Sequence, residues 1–141
     1  MSRDANASSK GAAAAFVYRF DHAPTANGPG DGASHASDIP FVFHILEAGE
    51  ATLAVHGPEE VALSNTIATL FMNMASTGDP NTGLESSSTA AELPAWPRYD
   101  TETDMTLQLD TEKNGGCMAV YAPRTIYCDF WDTIIDLAPI V

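Results

Sequence analysis

Residues 57–80, "GPEEVALSNTIATLFMNMASTGDP", constrain the fold more than any other stretch of this chain. Leu63, Ile67, Leu70, Phe71 and Met74 recur at three- and four-residue spacing, which places them on one stripe of an α-helix. Pro58 suits the first turn, where a missing N–H costs nothing. Glu59 and Glu60 suit the positive end of the helix dipole. Gly78 is placed to end the helix, and Pro80 prevents its continuation. Such a stripe must be buried against another layer, and the rest of the chain offers mostly short strands.

"FVYRF", 16–20, is β-branched and aromatic, with Phe16, Tyr18 and Phe20 on one face and Val17 and Arg19 on the other. It predicts a buried strand. "MTLQLD", 105–110, alternates Met105, Leu107 and Leu109 with polar residues, which predicts a strand with one face covered. "EKNGG" then turns the chain into "CMAVY", 117–121, a candidate further strand. "IPFVFHIL", 39–46, is apolar but short, so strand and short helix both fit. "TIYCDFWDTIIDL", 125–137, has Phe130, Ile134 and Leu137 at helical spacing, with Trp131 beside them, and predicts a last helix. The aromatic turn "PAWPRYD", 94–100, is expected to dock its rings on the core. Residues 21–35 and 81–93 read as loops, and 1–15, small and alanine-rich, are expected to have little order. This order gives an α/β fold with two or three strands. So small a sheet leaves a bare edge and an uncovered face, which points to a part of something larger.

Composition narrows the function. The 141 residues carry 19 acidic and 6 basic side chains, a net charge of −13. Binding nucleic acid through its phosphates needs clustered Lys and Arg, so that class is excluded. Acidic residues are scattered, as on a solvated, self-repelling surface. No run approaches the roughly 20 apolar residues of a membrane helix. "GAAAAF", 11–16, is too short and weakly hydrophobic for a signal peptide, as expected of a cytosolic protein or of a piece of a longer one. Cys117 and Cys128 form no C-x-x-C spacing; they are compatible with a mutual bond, with partners outside the chain, or with two thiols. The sequon at Asn6 matters only on a secreted protein.

The candidate chemistry lies in "GASHASDIPFVF", 32–43. "GASHA" nearly spells the G-x-S-x-G elbow of a catalytic serine. The elbow, however, needs a buried strand before the serine and a helix after it. Ser34 follows the Gly- and Pro-rich "TANGPGDGA" and precedes Pro40, so it only imitates one. Ser64, Ser76 and Ser86–Ser88 lie on a helix or in a loop and do no better. His35 differs, because it stands on a loop leaving a predicted strand, where the sites of α/β sheets gather. An imidazole there can accept and return a proton near neutral pH. Asp38 could orient it or cap the segment starting at Ile39. His22 reads as structural, His44 as a packed or edge histidine, and His56 as part of the cap of the long helix. The four histidines share no metal-ligand spacing, so no metal is expected.

Five blocks taken together resemble a family. "FVYRFDHAP" followed by "GASHASDIPFVF" is similar to the histidine region of type-B carboxylesterases, the cholinesterase-like branch of the α/β-hydrolases. "LFMNMASTGDPN", "AWPRYD", "MTLQLD" and "CDFWD" then follow in the family's order, so that the similarity covers roughly residues 16–132. The resemblance implies the C-terminal part of an α/β-hydrolase fold, a partial carboxylesterase domain over 16–138. It implies His35 as the general base of a Ser-His-acid triad that hydrolyses carboxylic esters without a cofactor. Ala36 and His44 stand where the family has glycine, which matters if the backbone there needs φ > 0. The family order is serine, acid, histidine, yet residues 1–34 contain neither elbow nor oxyanion loop nor acid segment. The isolated chain is therefore expected to be inactive and to expose apolar faces. The resemblance also implies an upstream partner for Cys128, although Cys128 could instead be free or bonded to Cys117. Two functions fit: an ester hydrolase segment with its serine and acid elsewhere, or a non-catalytic adhesion or binding module of cholinesterase-like fold. Oligomeric state is not legible in the sequence.

Overall fold

A computed structural model describes residues 14–25, 32–46, 56–83, 93–123 and 125–137. The N-terminal residues 1–13, the sequon at Asn6 and much of the predicted loops at 21–35 and 81–93 lie outside these. The described elements are β1 (Tyr18–Phe20), α1 (Ile39–Val42), α2 (Pro58–Thr77), β2 (Met105–Leu109), a 3₁₀ turn at Glu112–Asn114, β3 (Met118–Tyr121) and α3 (Thr125–Leu137).

The three strands form one mixed sheet in the order β1-β2-β3. Strand β1 pairs parallel to β2, with Tyr18 opposite Leu107 and Phe20 opposite Leu109. Strand β3 returns antiparallel, with Met105 opposite Tyr121. As the middle strand, β2 is the best covered: Leu107 and Leu109 are buried, and so is Thr106 on the other face. Met105, expected inward, is only half-buried because it starts the strand.

Helix α2 forms as its sequence dictates. Pro58 occupies the first turn, the Glu60 carboxylate reaches back to accept from the Gly57 N–H at 3.2 Å, and Gly78 closes the helix at φ +79. Leu63, Ile67 and Leu70 are buried, with Phe71 and Met74 half-buried beside them. Its inner face also buries polar groups that no apolar stripe foretells. Ser64 Oγ donates to the Phe41 carbonyl at 3.0 Å, and Asn73 Nδ2 to the Pro80 carbonyl at 3.1 Å. These bonds join α2 to α1 and fold back the chain that follows α2.

The ambiguous run 39–46 becomes a single helical turn, α1, then an irregular turn. Phe41 at its centre is fully buried and heads a core with Leu46, Leu63, Ile67, Leu70, Trp96, Leu107 and Leu109. Trp96 anchors the aromatic turn as expected. Its ring lies edge-on to Phe16 and Tyr18, and its indole N–H donates to the Val17 carbonyl at 3.0 Å.

Helix α3 exists as predicted, but nothing among the described residues covers its apolar face. Ile126 is 83% exposed, Tyr127 71%, Phe130 58% and Trp131 60%. Both cysteines are free thiols here. Cys117 is half-buried, and burial pushes its thiol pKa up, while Cys128 lies exposed on α3.

Candidate active site

The parallel pairing of β1 and β2 brings their carboxyl ends together. His22 leaves β1 two residues after Phe20, and Asp110 leaves β2 directly after Leu109. Their side chains meet, with Nδ1 of His22 3.2 Å from Asp110 Oδ1. On its other side, Nε2 of His22 lies 2.8 Å from Glu60 Oε1. Glu60 is the third helical residue of α2, so its carboxylate reaches back over the helix start. Its Oε1 also accepts from the Thr25 N–H at 2.7 Å and from the Thr25 hydroxyl at 3.0 Å. Its Oε2 contacts His56 Nδ1 at 2.8 Å and accepts from the Gly57 N–H at 3.2 Å.

Burial alone would raise the Glu60 pKa. The bonds from Thr25, His22 and His56 outweigh it and pull the group down to about 2. The histidine expected to be structural is therefore built into a buried polar joint between β1, β2 and α2. His56, expected to help cap α2, does so indirectly, by holding the Glu60 carboxylate that accepts from the Gly57 N–H. An open cleft of about 460 Å³ adjoins this joint, with His22, Thr25, Glu60, Lys113 and Asn114 among its lining residues.

His35 lies farther along the same loop, in a turn spanning residues 35–38 just before α1. It is exposed, is not part of the cleft lining, and its ring makes no hydrogen bond among the described residues. The turn is closed by the Ser37 N–H on the Ser34 carbonyl and by the Ile39 N–H on the Ala36 carbonyl, both at 3.2 Å. Ala36 has φ +64 and His44 φ +52, so both positions where glycine was expected do adopt the left-handed backbone. Ser37 Oγ donates to the Ser34 carbonyl at 2.7 Å.

Asp38 departs from both roles considered for it. It occupies the N-cap position of α1 without a side-chain cap bond. No bond joins it to His35; instead it accepts from the Tyr18 hydroxyl at 2.7 Å. Tyr18, packed against Phe71 and Trp96, presents its hydroxyl to this carboxylate, which is thereby engaged away from the helix start. His44 is exposed rather than packed, and its Nε2 meets Asn65 Oδ1 on the outer face of α2. Tyr18 was legible as a core strand residue, but nothing in the sequence signalled its bond to a residue 20 positions away.

A parallel strand pair, a histidine-bearing loop at the carboxyl end of its first strand and helices against the sheet define part of an α/β-hydrolase. The chain matches the model of the carboxylesterase family over residues 1–131. It is 38% identical over 98 residues to the para-nitrobenzyl esterase of Bacillus subtilis (strain 168), covering 69% of this chain and 18% of that protein. It is 31% identical over 113 residues to the bile salt-activated lipase of Bos taurus, covering 78% and 17%. Among solved structures, a PNB esterase superposes with TM-score 0.60 at 31% identity, over 81% of this chain and 20% of that one. The carboxylesterase EST55 of Geobacillus stearothermophilus superposes with TM-score 0.59 at 28% identity, over 82% and 21%. The chain belongs to the carboxylesterase family. It spans about a fifth of the length of the relatives it matches.

Proposed function

We propose that these residues are the histidine-bearing part of a serine ester hydrolase and that His35 is its general base. The observation that carries this reading is the placement of His35 on an exposed turn in the segment between β1 and α1, with no partner for its ring among the described residues. A base must be open to receive a proton, whereas His22 has both ring nitrogens engaged.

In the proposed reaction the ring takes the proton of a serine hydroxyl as its oxygen attacks the ester carbonyl. Collapse of the tetrahedral intermediate expels the alcohol, which leaves with that proton, and the acyl group stays on the serine. Water, deprotonated by the same ring, then releases the acid. Residues 1–141 contain no G-x-S-x-G, so the serine and the orienting acid come from outside them. By themselves these residues turn over no ester. No cofactor enters the proposed reaction.

The test is hydrolysis of 4-nitrophenyl acetate by the protein as its gene encodes it. Replacing His35 with Ala is expected to lower kcat by about 10³-fold or more. Equal turnover in the variant would overturn the role of His35. A protein that hydrolyses no ester in any form would instead be a binding member of the fold. Robust hydrolysis by residues 1–141 alone, lost in His35→Ala, would refute the assignment of the serine to another segment.

A further inference from the structure

The turn that carries His35 is fastened to the sheet through a phenol–carboxylate bond. Tyr18 of β1 donates its hydroxyl to Asp38 Oδ2, three residues beyond His35. Several features make this a stiff tether. The Tyr18 ring meets Phe71 of α2 edge-to-face, with centroids 5.6 Å apart, and Trp96 at 5.8 Å. Those contacts fix the ring plane and so aim the hydroxyl. The backbone of Tyr18 is locked opposite Leu107 in the parallel ladder. Just past Asp38, Phe41 is buried and its carbonyl accepts from Ser64. The segment leaving His35 is thus held to β1 by its carboxylate and to α2 by its backbone.

A phenylalanine at position 18 would fill the same space between Phe71 and Trp96. The hydroxyl adds only the bond to Asp38. That carboxylate makes no cap bond with α1, so the pair serves the turn and not the helix. Burial first, then the Asp38 carboxylate, pushes the Tyr18 pKa up to about 12, which keeps the hydroxyl a donor at any physiological pH.

Building on the reading of His35 as the base, we infer that Tyr18 is a positioning residue for it, acting through Asp38 to hold the turn 34–38 against β1. Geometry at a reacting centre is costly to lose, since a 1 Å displacement costs about a hundredfold in rate.

The inference is tested in the protein as its gene encodes it, by ester hydrolysis and by amide hydrogen exchange. Tyr18→Phe is expected to lower kcat for 4-nitrophenyl acetate about 10-fold to 100-fold while KM changes less than about twofold. Exchange at the Ser37 and Ile39 amides should quicken about tenfold, with the α2 amides around Ile67 unchanged. Asp38→Ala should behave like Tyr18→Phe. Asp38→Asn, which keeps an oxygen acceptor for the phenol, should restore most of the rate, a rescue that a purely electrostatic Asp38 would not show. Unchanged kcat in Tyr18→Phe, in an enzyme that His35→Ala inactivates, would overturn the inference and leave the role of His35 standing. If His35→Ala has no effect, the exchange measurement alone decides. Faster turn exchange in Tyr18→Phe would support the tether, and unchanged exchange would refute it.

Discussion

His22 stands between two buried carboxylates, with Nε2 2.8 Å from Glu60 Oε1 and Nδ1 3.2 Å from Asp110 Oδ1. Both ring nitrogens therefore have a carboxylate oxygen within hydrogen-bond distance. Removing the ring takes one bond from each carboxylate, while Glu60 keeps Thr25, His56 and Gly57 and Asp110 keeps Thr111 and Asn114. His22→Ala is therefore expected to destabilise the protein by about 1–3 kcal/mol, read from urea unfolding. A loss under about 1 kcal/mol would mean that the carboxylates find other partners.

Glu60 makes stability depend on acid. Its pKa falls from 4.5 in the unfolded reference to about 2 in the fold. A lowered carboxyl pKa stabilises the folded protein above the unfolded value, and the gain fades as pH drops from about 4.5 toward 2. The shift corresponds to roughly 3 kcal/mol at neutral pH. Glu60→Gln has no such titration and turns an NH₂ toward groups that already donate. The stability gap between wild type and Glu60→Gln should be full well above pH 4.5 and shrink steadily below it. A gap that stays constant down to pH 3 would contradict this.

Ala36 holds φ +64, a left-handed backbone that glycine tolerates and alanine resists. The strain is about 1–2 kcal/mol per residue, partly offset by the greater freedom of an unfolded glycine. Ala36→Gly should therefore stabilise the protein by about 0.5–1 kcal/mol in chemical denaturation. His44→Gly relieves the same strain at φ +52 but gives up the contact with Asn65, so its net effect should be smaller.

The chain's two tryptophans report opposite environments, since Trp96 is 4% exposed and Trp131 60% exposed. Trp96→Ala should cost about 3–5 kcal/mol, whereas Trp131→Ser should change stability by less than about 0.5 kcal/mol. Acrylamide should quench the Trp131 emission of a Trp96→Phe variant far more than the Trp96 emission of a Trp131→Phe variant. Equal quenching would show that the face of α3 is covered in solution.

Helix α2 was legible almost to the residue, because its stripe, Pro58, Gly78 and Pro80 act within one or two turns of chain. Strands β1 and β2 were legible for the same local reason, and His35 stood out from its motif. The joint at His22 was legible only as a structural histidine, since Glu60 and Asp110 lie 38 and 88 residues away. The charges of His22, Glu60 and Asp110 look like surface residues until the parallel pairing of β1 and β2 draws them inside.

By itself the sequence determined the local elements, while the family resemblance marked His35 and raised the question of a positive φ at positions 36 and 44. The elements follow from hydrophobic period, capping and steric preference, which operate between near neighbours in the chain. Only the tertiary structure decided that Asp38 answers to Tyr18, that His22 bridges two carboxylates, and that no other described residue covers the face of α3. These depend on which distant groups share a dry interior, and distance along the chain does not encode that.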